Sequence, residues 1–140
     1  MSVVRRTCTE LPESDSGNSE TPRPLAELRG IGAYVLLGGP GAGKTTSFER
    51  ESKATDGALV SARDFVTLRT RPAWQGRTLF IDGLDEIRAV SAEPRHPLDR
   101  IRTRLDELGR PEFRISCRDM DWLGANDWKR LKAVSPSGTV

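Results

Sequence analysis

The chain has 140 residues, and its 22 basic and 20 acidic side chains are interspersed to give a formal net charge of +2, so nothing in the charge favours nucleic acid or a membrane surface as a partner. The length fits one domain with a single hydrophobic core. The sequence has neither the apolar core of a signal peptide nor a run near the ~20 apolar residues of a membrane span, which predicts a cytoplasmic protein. Its two cysteines, Cys8 and Cys117, lack metal-ligand spacing and are expected to be reduced thiols.

The first stretch, 1–24, is rich in Ser, Pro, Glu and Asp and has almost no apolar periodicity. Because such a composition buries little apolar surface, we predict a flexible arm over 1–24 and a folded domain over 25–140. A short helical turn is expected at 25–28, before the glycines at 30 and 32 interrupt it.

A glycine-rich stretch at 38–46 follows the first predicted strand, 34–37. It fits the pattern Gly-x-x-x-x-Gly-Lys-[Ser/Thr] of a phosphate-binding P-loop. A strand, a glycine-rich turn and a helix starting near Lys44 would aim backbone N–H groups and the positive helix end at one anion. The predicted nucleotide-binding residues are Gly38, Gly39, Pro40, Gly41, Ala42, Gly43, Lys44, Thr45 and Thr46.

Two side chains of this loop have predicted roles of their own. Lys44 is expected to reach the outer phosphates of a nucleotide, and the Thr45 hydroxyl, in the first helical turn, to hold Mg²⁺. No Asn-Lys-x-Asp run for guanine recognition exists in the sequence. The predicted cofactors are therefore ATP and Mg²⁺.

Helices and short strands alternate through the rest of the chain. Helices are predicted at 45–53 and 62–68, and the best-marked helix carries Leu98, Ile101, Leu105 and Leu108 at helical spacing, with Gly109 as its C-terminal cap. Further strands are predicted at 58–61, 78–81 and 113–117. This alternation predicts an α/β fold in three layers, the P-loop NTPase fold, with a parallel sheet of about four strands and right-handed crossovers.

Acidic residues follow the strand at 78–81. Asp82 stands at the strand end, as the Mg²⁺-supporting carboxylate of P-loop NTPases does. Asp85 and Glu86 come next, and an acid beside the metal-side carboxylate is expected to orient and polarise the attacking water. The sequence does not separate these two acids, and surface acids favoured by a helix N-terminus are the alternative interpretation.

The blocks at 38–46, 79–86 and 115–118 together resemble the NACHT branch of the STAND class of P-loop ATPases. In that family a small residue follows the metal-side Asp, and acids stand three and four places after it, as Asp85 and Glu86 do. An arginine after the fourth strand senses the terminal phosphate there, and Arg118 matches it. The resemblance implies that Asp85, Glu86 and Arg118 are catalytic, and it is closest to large bacterial NACHT proteins associated with defence.

The resemblance implies a nucleotide-switch domain that hydrolyses ATP slowly and self-associates within a longer parent protein. Family members continue into a fifth strand, a helical lid and a winged-helix segment, for which no room remains after Val140. We therefore expect the N-terminal part of such a protein, with its first strand at an exposed sheet edge. A truncated fragment that acts as a non-catalytic nucleotide-binding or interaction module is the alternative. A small-molecule kinase is disfavoured because no short arginine-rich lid is evident.

Overall fold

The computed structural model describes residues 2–5, 29–38, 43–89 and 96–136. Within these ranges a parallel sheet of five strands has helices on both faces, which is an α/β fold in three layers. In chain order the strands are β1 (Ser2–Arg5), β2 (Ala33–Leu37), β3 (Ala58–Ser61), β4 (Leu79–Asp82) and β5 (Phe113–Cys117). Across the sheet their order is β1-β2-β5-β4-β3.

The helices are α1 (Lys44–Ala54), α2 (Ala62–Thr67), α3 (Leu84–Ala89), α4 (His96–Glu107) and α5 (Ala125–Lys132), with 3₁₀ turns at Pro72–Trp74 and Asp119–Asp121. The four predicted strands are confirmed to within one residue, and the predicted helices correspond to α1, α2 and α4. The predicted cap of α4 is also confirmed, since the Gly109 N–H donates to the Asp106 carbonyl and the Arg110 N–H to the Leu105 carbonyl. Helices α3 and α5 were not predicted as elements, because they are short, at six and eight residues, and each carries only two large apolar residues.

Strand β1 corrects two predictions. Ser2–Arg5 lies within the stretch predicted to be a flexible arm, yet it pairs in parallel with β2, from Ser2 beside Tyr34 to Arg5 beside Leu37. Its two valines were outweighed by the Ser, Pro, Glu and Asp content of the stretch that follows them, which favoured disorder. The predicted edge position of the first P-loop strand is also wrong, because β2 lies between β1 and β5. The predicted turn at 25–28 and the rest of the arm lie outside the described residues.

The larger hydrophobic core lies on the face of the sheet that α2, α3, α4 and α5 cover. Alternate strand residues such as Val35, Ile81 and Ile115 enter it, and all four predicted α4 leucine and isoleucine positions are buried there. Trp122 and Trp128 pack against this core. No helix in the described part of the chain is long and apolar enough to cross a membrane.

The opposite face carries α1 and a smaller cluster formed by Tyr34, Leu36, Phe48 and Phe80. The rings of Phe48 on α1 and Phe80 on β4 meet edge to face, with centroids 5.3 Å apart. This contact fixes α1 against β4. The first turn of α1 is thereby held near the carboxyl end of β4, where the candidate site lies.

Candidate functional site

A cleft of about 580 Å³ opens where the first turn of α1 meets the ends of β4 and β5. Its lining includes eight of the predicted site residues: Gly43, Lys44, Thr45, Thr46, Asp82, Asp85, Glu86 and Arg118. Gly38 stands just outside it, at the end of β2. Gly39, Pro40, Gly41 and Ala42 lie outside the described residues.

Strand order explains why distant sequence blocks meet in this cleft. The carboxyl ends of parallel strands share one edge of the sheet, and β5 is inserted between β2 and β4. Leu36 of β2 is the neighbour of Ser116 of β5, and Asp82 of β4 is the neighbour of Ser61 of β3. The start of α1, Asp82 and Arg118 are therefore brought to one edge.

The start of α1 depends on a left-handed residue. Gly43 has φ 80° and ψ 20°, and its carbonyl accepts the first helical hydrogen bond, from the Ser47 N–H at 2.9 Å. A side chain at this position would be strained, so glycine is required. The Lys44 side chain reaches back to the residue that follows β2, where Nζ donates to the Gly38 carbonyl at 2.9 Å.

Asp82 is held by two hydroxyl groups. Thr45 Oγ1 donates to Asp82 Oδ2 at 2.8 Å, and Ser116 Oγ donates to Asp82 Oδ1 at 2.6 Å. The Ser116 oxygen in turn accepts the Gly83 N–H at 2.8 Å. Ser116 was not predicted as a site residue, because its role depends on the pairing of β4 with β5, which the sequence does not specify.

The oxygen groups at Thr45 and Asp82 fit Mg²⁺. Hydroxyl and carboxylate oxygens are the ligands of hard cations, whereas softer metals favour imidazole and thiolate. Among the described residues no group of three His, Cys, Asp or Glu side chains could hold a metal by itself. Mg²⁺ commonly takes one or two protein ligands and completes its shell with phosphate oxygens and water. The donor set therefore suits Mg²⁺ that is held together with a nucleotide.

The two acids at the start of α3 have different surroundings. Asp85 is engaged with Arg118, because its Oδ1 accepts the Arg118 backbone N–H at 3.2 Å and its Oδ2 lies 3.6 Å from Arg118 Nε. The Glu86 side chain is exposed, and its carboxylate makes no hydrogen bond or ion pair with the described part of the chain. Its carboxylate is therefore available to a ligand in the cleft, whereas that of Asp85 is already used.

The Glu86 carboxylate lies close to Gly83. The backbone at Gly83 has φ +90°, and a Cβ there would lie 3.2 Å from Glu86 Oε1. Any side chain would be strained in this conformation and would crowd the carboxylate. The left-handed backbone conformation therefore favours glycine after Asp82.

Arg118 follows β5 directly and lines the cleft. Its Nε donates to Asp121 Oδ2 at 2.8 Å, and its side chain is 35% exposed. The guanidinium is therefore hydrogen-bonded to Asp121 and is also partly accessible to solvent within the cleft.

A buried ion pair ties α3 to the segment that carries Arg118. Arg88 of α3 donates to both oxygens of Asp127 at 2.6 and 2.8 Å, and these side chains are 3% and 0% exposed. Arg88 Nη1 also donates to the Asp121 carbonyl at 2.7 Å, while the Leu123 N–H donates to Asp127 Oδ2 at 2.7 Å. These contacts therefore connect α3, which carries Asp85 and Glu86, to the segment that follows Arg118. The sequence analysis did not predict this connection.

Comparisons with known proteins give no match to this chain, whether with protein-family models, curated proteins or solved structures. Its function is therefore inferred from the residues of the cleft and their geometry.

Proposed function

We propose that the cleft binds Mg-ATP and that the chain is the nucleotide-switch domain of a slow ATPase similar to the NACHT branch of P-loop ATPases. The observation that carries this proposal is the 2.8 Å hydrogen bond between Thr45 Oγ1 and Asp82 Oδ2. It joins the first helical turn after the glycine-rich loop to the acid at the end of β4. An α/β fold with a parallel sheet supports the proposal, because ligands of such sheets bind at the carboxyl ends of the strands.

Binding is assigned to the glycine-rich loop and the start of α1. The positive end of this 11-residue helix and the Lys44 ammonium favour a polyphosphate at this edge of the sheet. Thr45 and Asp82 would hold Mg²⁺, which when bound neutralises charge on the outer phosphates. Ser116 keeps the Asp82 carboxylate turned toward the cleft through its 2.6 Å hydrogen bond.

Hydrolysis is assigned to Glu86 and Arg118. Glu86 is the acid that would orient the attacking water, because its exposed carboxylate lines the cleft and has no hydrogen-bond or ion-pair partner in the described part of the chain. Asp85 would support Arg118 through the backbone N–H that it accepts. The Arg118 guanidinium would stabilise charge on the terminal phosphate, as positioned cations do in phosphoryl transfer.

The switch follows from the terminal phosphate, because only ATP offers it to Arg118. In this proposal nucleotide state is read out by a longer cytoplasmic parent protein, in which the domain self-associates. The alternative is a non-catalytic module that uses the same cleft for weak nucleotide binding or only for interaction.

A thermal melt of the chain with Mg-ATP, Mg-ADP or Mg²⁺ alone tests the proposal. A ligand that binds only the native state must raise the midpoint, so we expect a concentration-dependent rise with both nucleotides and a larger one with ATP. A rise together with measurable phosphate release supports the ATPase, whereas a rise without it supports the non-catalytic module. An unchanged midpoint with millimolar nucleotide would overturn nucleotide binding.

A further inference from the structure

The anchoring of Arg118 leaves part of its guanidinium unused. Asp121 Oδ2 accepts from Nε alone, and the carboxylate of Asp85 also lies nearest to Nε, at 3.6 Å. Neither terminal nitrogen of Arg118 makes a hydrogen bond to the described part of the chain. A guanidinium has five N–H donors in a rigid fork, so a contact through Nε leaves four donors on the two terminal nitrogens.

Asp121 stands outside the cleft and is itself fixed. It ends the 3₁₀ turn Asp119–Asp121, in which its N–H donates to the Arg118 carbonyl at 3.0 Å. Its own carbonyl accepts from the buried Arg88 at 2.7 Å. Hydrogen bonds therefore hold the backbone of Asp121 at both its N–H and its carbonyl, and the bond to the carbonyl comes from Arg88 of α3.

This arrangement limits the freedom of a long side chain before any ligand is present. A free arginine loses considerable rotamer freedom when it is immobilised, and a protein that has already ordered the side chain does not lose that freedom again on binding. Asp121 would therefore lower the entropic cost of placing the terminal nitrogens of Arg118 against an anion.

We infer that Asp121 is a positioning residue that holds Arg118 by Nε, so that its terminal nitrogens face the terminal phosphate of ATP and the domain distinguishes ATP from ADP. This inference rests on the proposed function, because it needs a nucleotide in the cleft. It adds a residue, remote from the phosphates, that sets the preference for the triphosphate.

Calorimetric titrations of Mg-ATP and Mg-ADP into the wild type, Asp121→Ala and Asp121→Asn test the inference. For Asp121→Ala we expect the preference for ATP over ADP to fall about three- to ten-fold, the scale of ordering one long side chain on binding. Asp121→Asn should retain most of the preference, because its amide oxygen still accepts from Nε. In an Arg118→Ala background, Asp121→Ala should leave the ATP-to-ADP ratio unchanged.

Asp106→Ala is the matched control, because Asp106 also pairs with an arginine, Arg110, at 2.9 Å, but on the C-terminal turn of α4. It should keep the wild-type ratio. An Asp121→Ala protein with an unchanged ratio, or with tighter ATP binding, would overturn the positioning role; tighter binding would mean that Asp121 competes with phosphate for Arg118. If the wild type binds neither nucleotide, the proposed function fails first and the inference with it.

Discussion

Ser116 Oγ donates a 2.6 Å hydrogen bond to Asp82 Oδ1, and the same serine oxygen accepts the N–H of Gly83. A residue of β5 thus fixes both the side chain of the last residue of β4 and the backbone that follows it. With one Asp82 oxygen held in this way, the other points to Thr45 at 2.8 Å. The sheet therefore sets the orientation of the proposed metal-side carboxylate.

Replacing Asp82 should separate nucleotide binding from its dependence on Mg²⁺. In Asp82→Ala we expect nucleotide still to bind, but without the gain expected from Mg²⁺ in the wild type, because the proposed metal ligand is lost while Lys44 remains. Titrations of ATP with Mg²⁺ and with EDTA measure this. Glu49→Ala, on an exposed position of α1, is the control. An equal benefit from Mg²⁺ in wild type and Asp82→Ala would show that Asp82 does not support the metal.

Replacing Lys44 should abolish binding of Mg-ATP. The variant Lys44→Ala removes the side-chain cation that is proposed to contact the outer phosphates, so that only backbone N–H groups would remain to bind them. Calorimetry would show an affinity too weak to fit. Lys53→Ala removes the same charge from the last turn of the same helix and should bind like wild type. Unchanged affinity in Lys44→Ala would refute the phosphate-binding assignment of the loop.

Glu86→Gln should slow hydrolysis while binding persists. We expect ATP affinity within a few fold of wild type and a rate of phosphate release lower by about 10²-fold or more, the scale of losing a general base. Asp85→Asn should act differently, since Asp85 contacts Arg118; its main effect should be weaker ATP binding relative to ADP. Single-turnover release of phosphate, with nucleotide affinity measured in parallel, distinguishes them. If Asp85→Asn alone lost hydrolysis, the roles of the two acids would be reversed.

The buried Arg88–Asp127 pair should dominate the stability of the segment after β5. Asp127→Asn removes the buried carboxylate charge that pairs with Arg88, so the free energy of unfolding should fall by about 3–5 kcal/mol. Asp106→Asn, which breaks an exposed pair, should cost no more than about 1 kcal/mol. Urea denaturation measures both. The double variant Arg88→Met with Asp127→Leu should recover much of the lost stability, because neither charge then remains buried. If the double variant were less stable than Asp127→Asn, the burial of an unbalanced charge would not explain the loss of stability.

Cys117 should be inert in the folded chain. Burial raises the pKa of its thiol to about 12, so the reactive thiolate is scarce at pH 8.5. In a Cys8→Ser variant we expect slow alkylation by iodoacetamide in buffer and rapid alkylation in urea. Because the unfolded thiol loses its proton at a lower pH, near about 8.5, its contribution to the free energy of unfolding is fully present below that pH and is lost toward pH 12. Rapid alkylation of the native protein would contradict the burial.

The sequence alone determined the local elements of the sheet and named candidate residues for its glycine-rich loop. Short apolar runs between turn residues predicted four strands, and the spacing of the leucine and isoleucine positions predicted α4 with its glycine cap, because both signals lie within one element. The pattern of the glycine-rich loop is also contiguous in sequence, and the acids at 82, 85 and 86 lie within one short segment. These residues could be named as candidates before their positions in space were known.

Tertiary structure alone decided which of these elements are neighbours. The insertion of β5 between β2 and β4 brings Ser116 to Asp82, and the pairing of β1 with β2 gives order to a stretch that composition assigned to a flexible arm. The buried pair of Arg88 and Asp127 joins residues 39 positions apart. Hydrogen bonds and ion pairs of this kind depend on distance in space, whereas periodicity shows only which face of an element is buried. The partners of Asp82, Asp85 and Arg118 therefore became visible only in the folded chain.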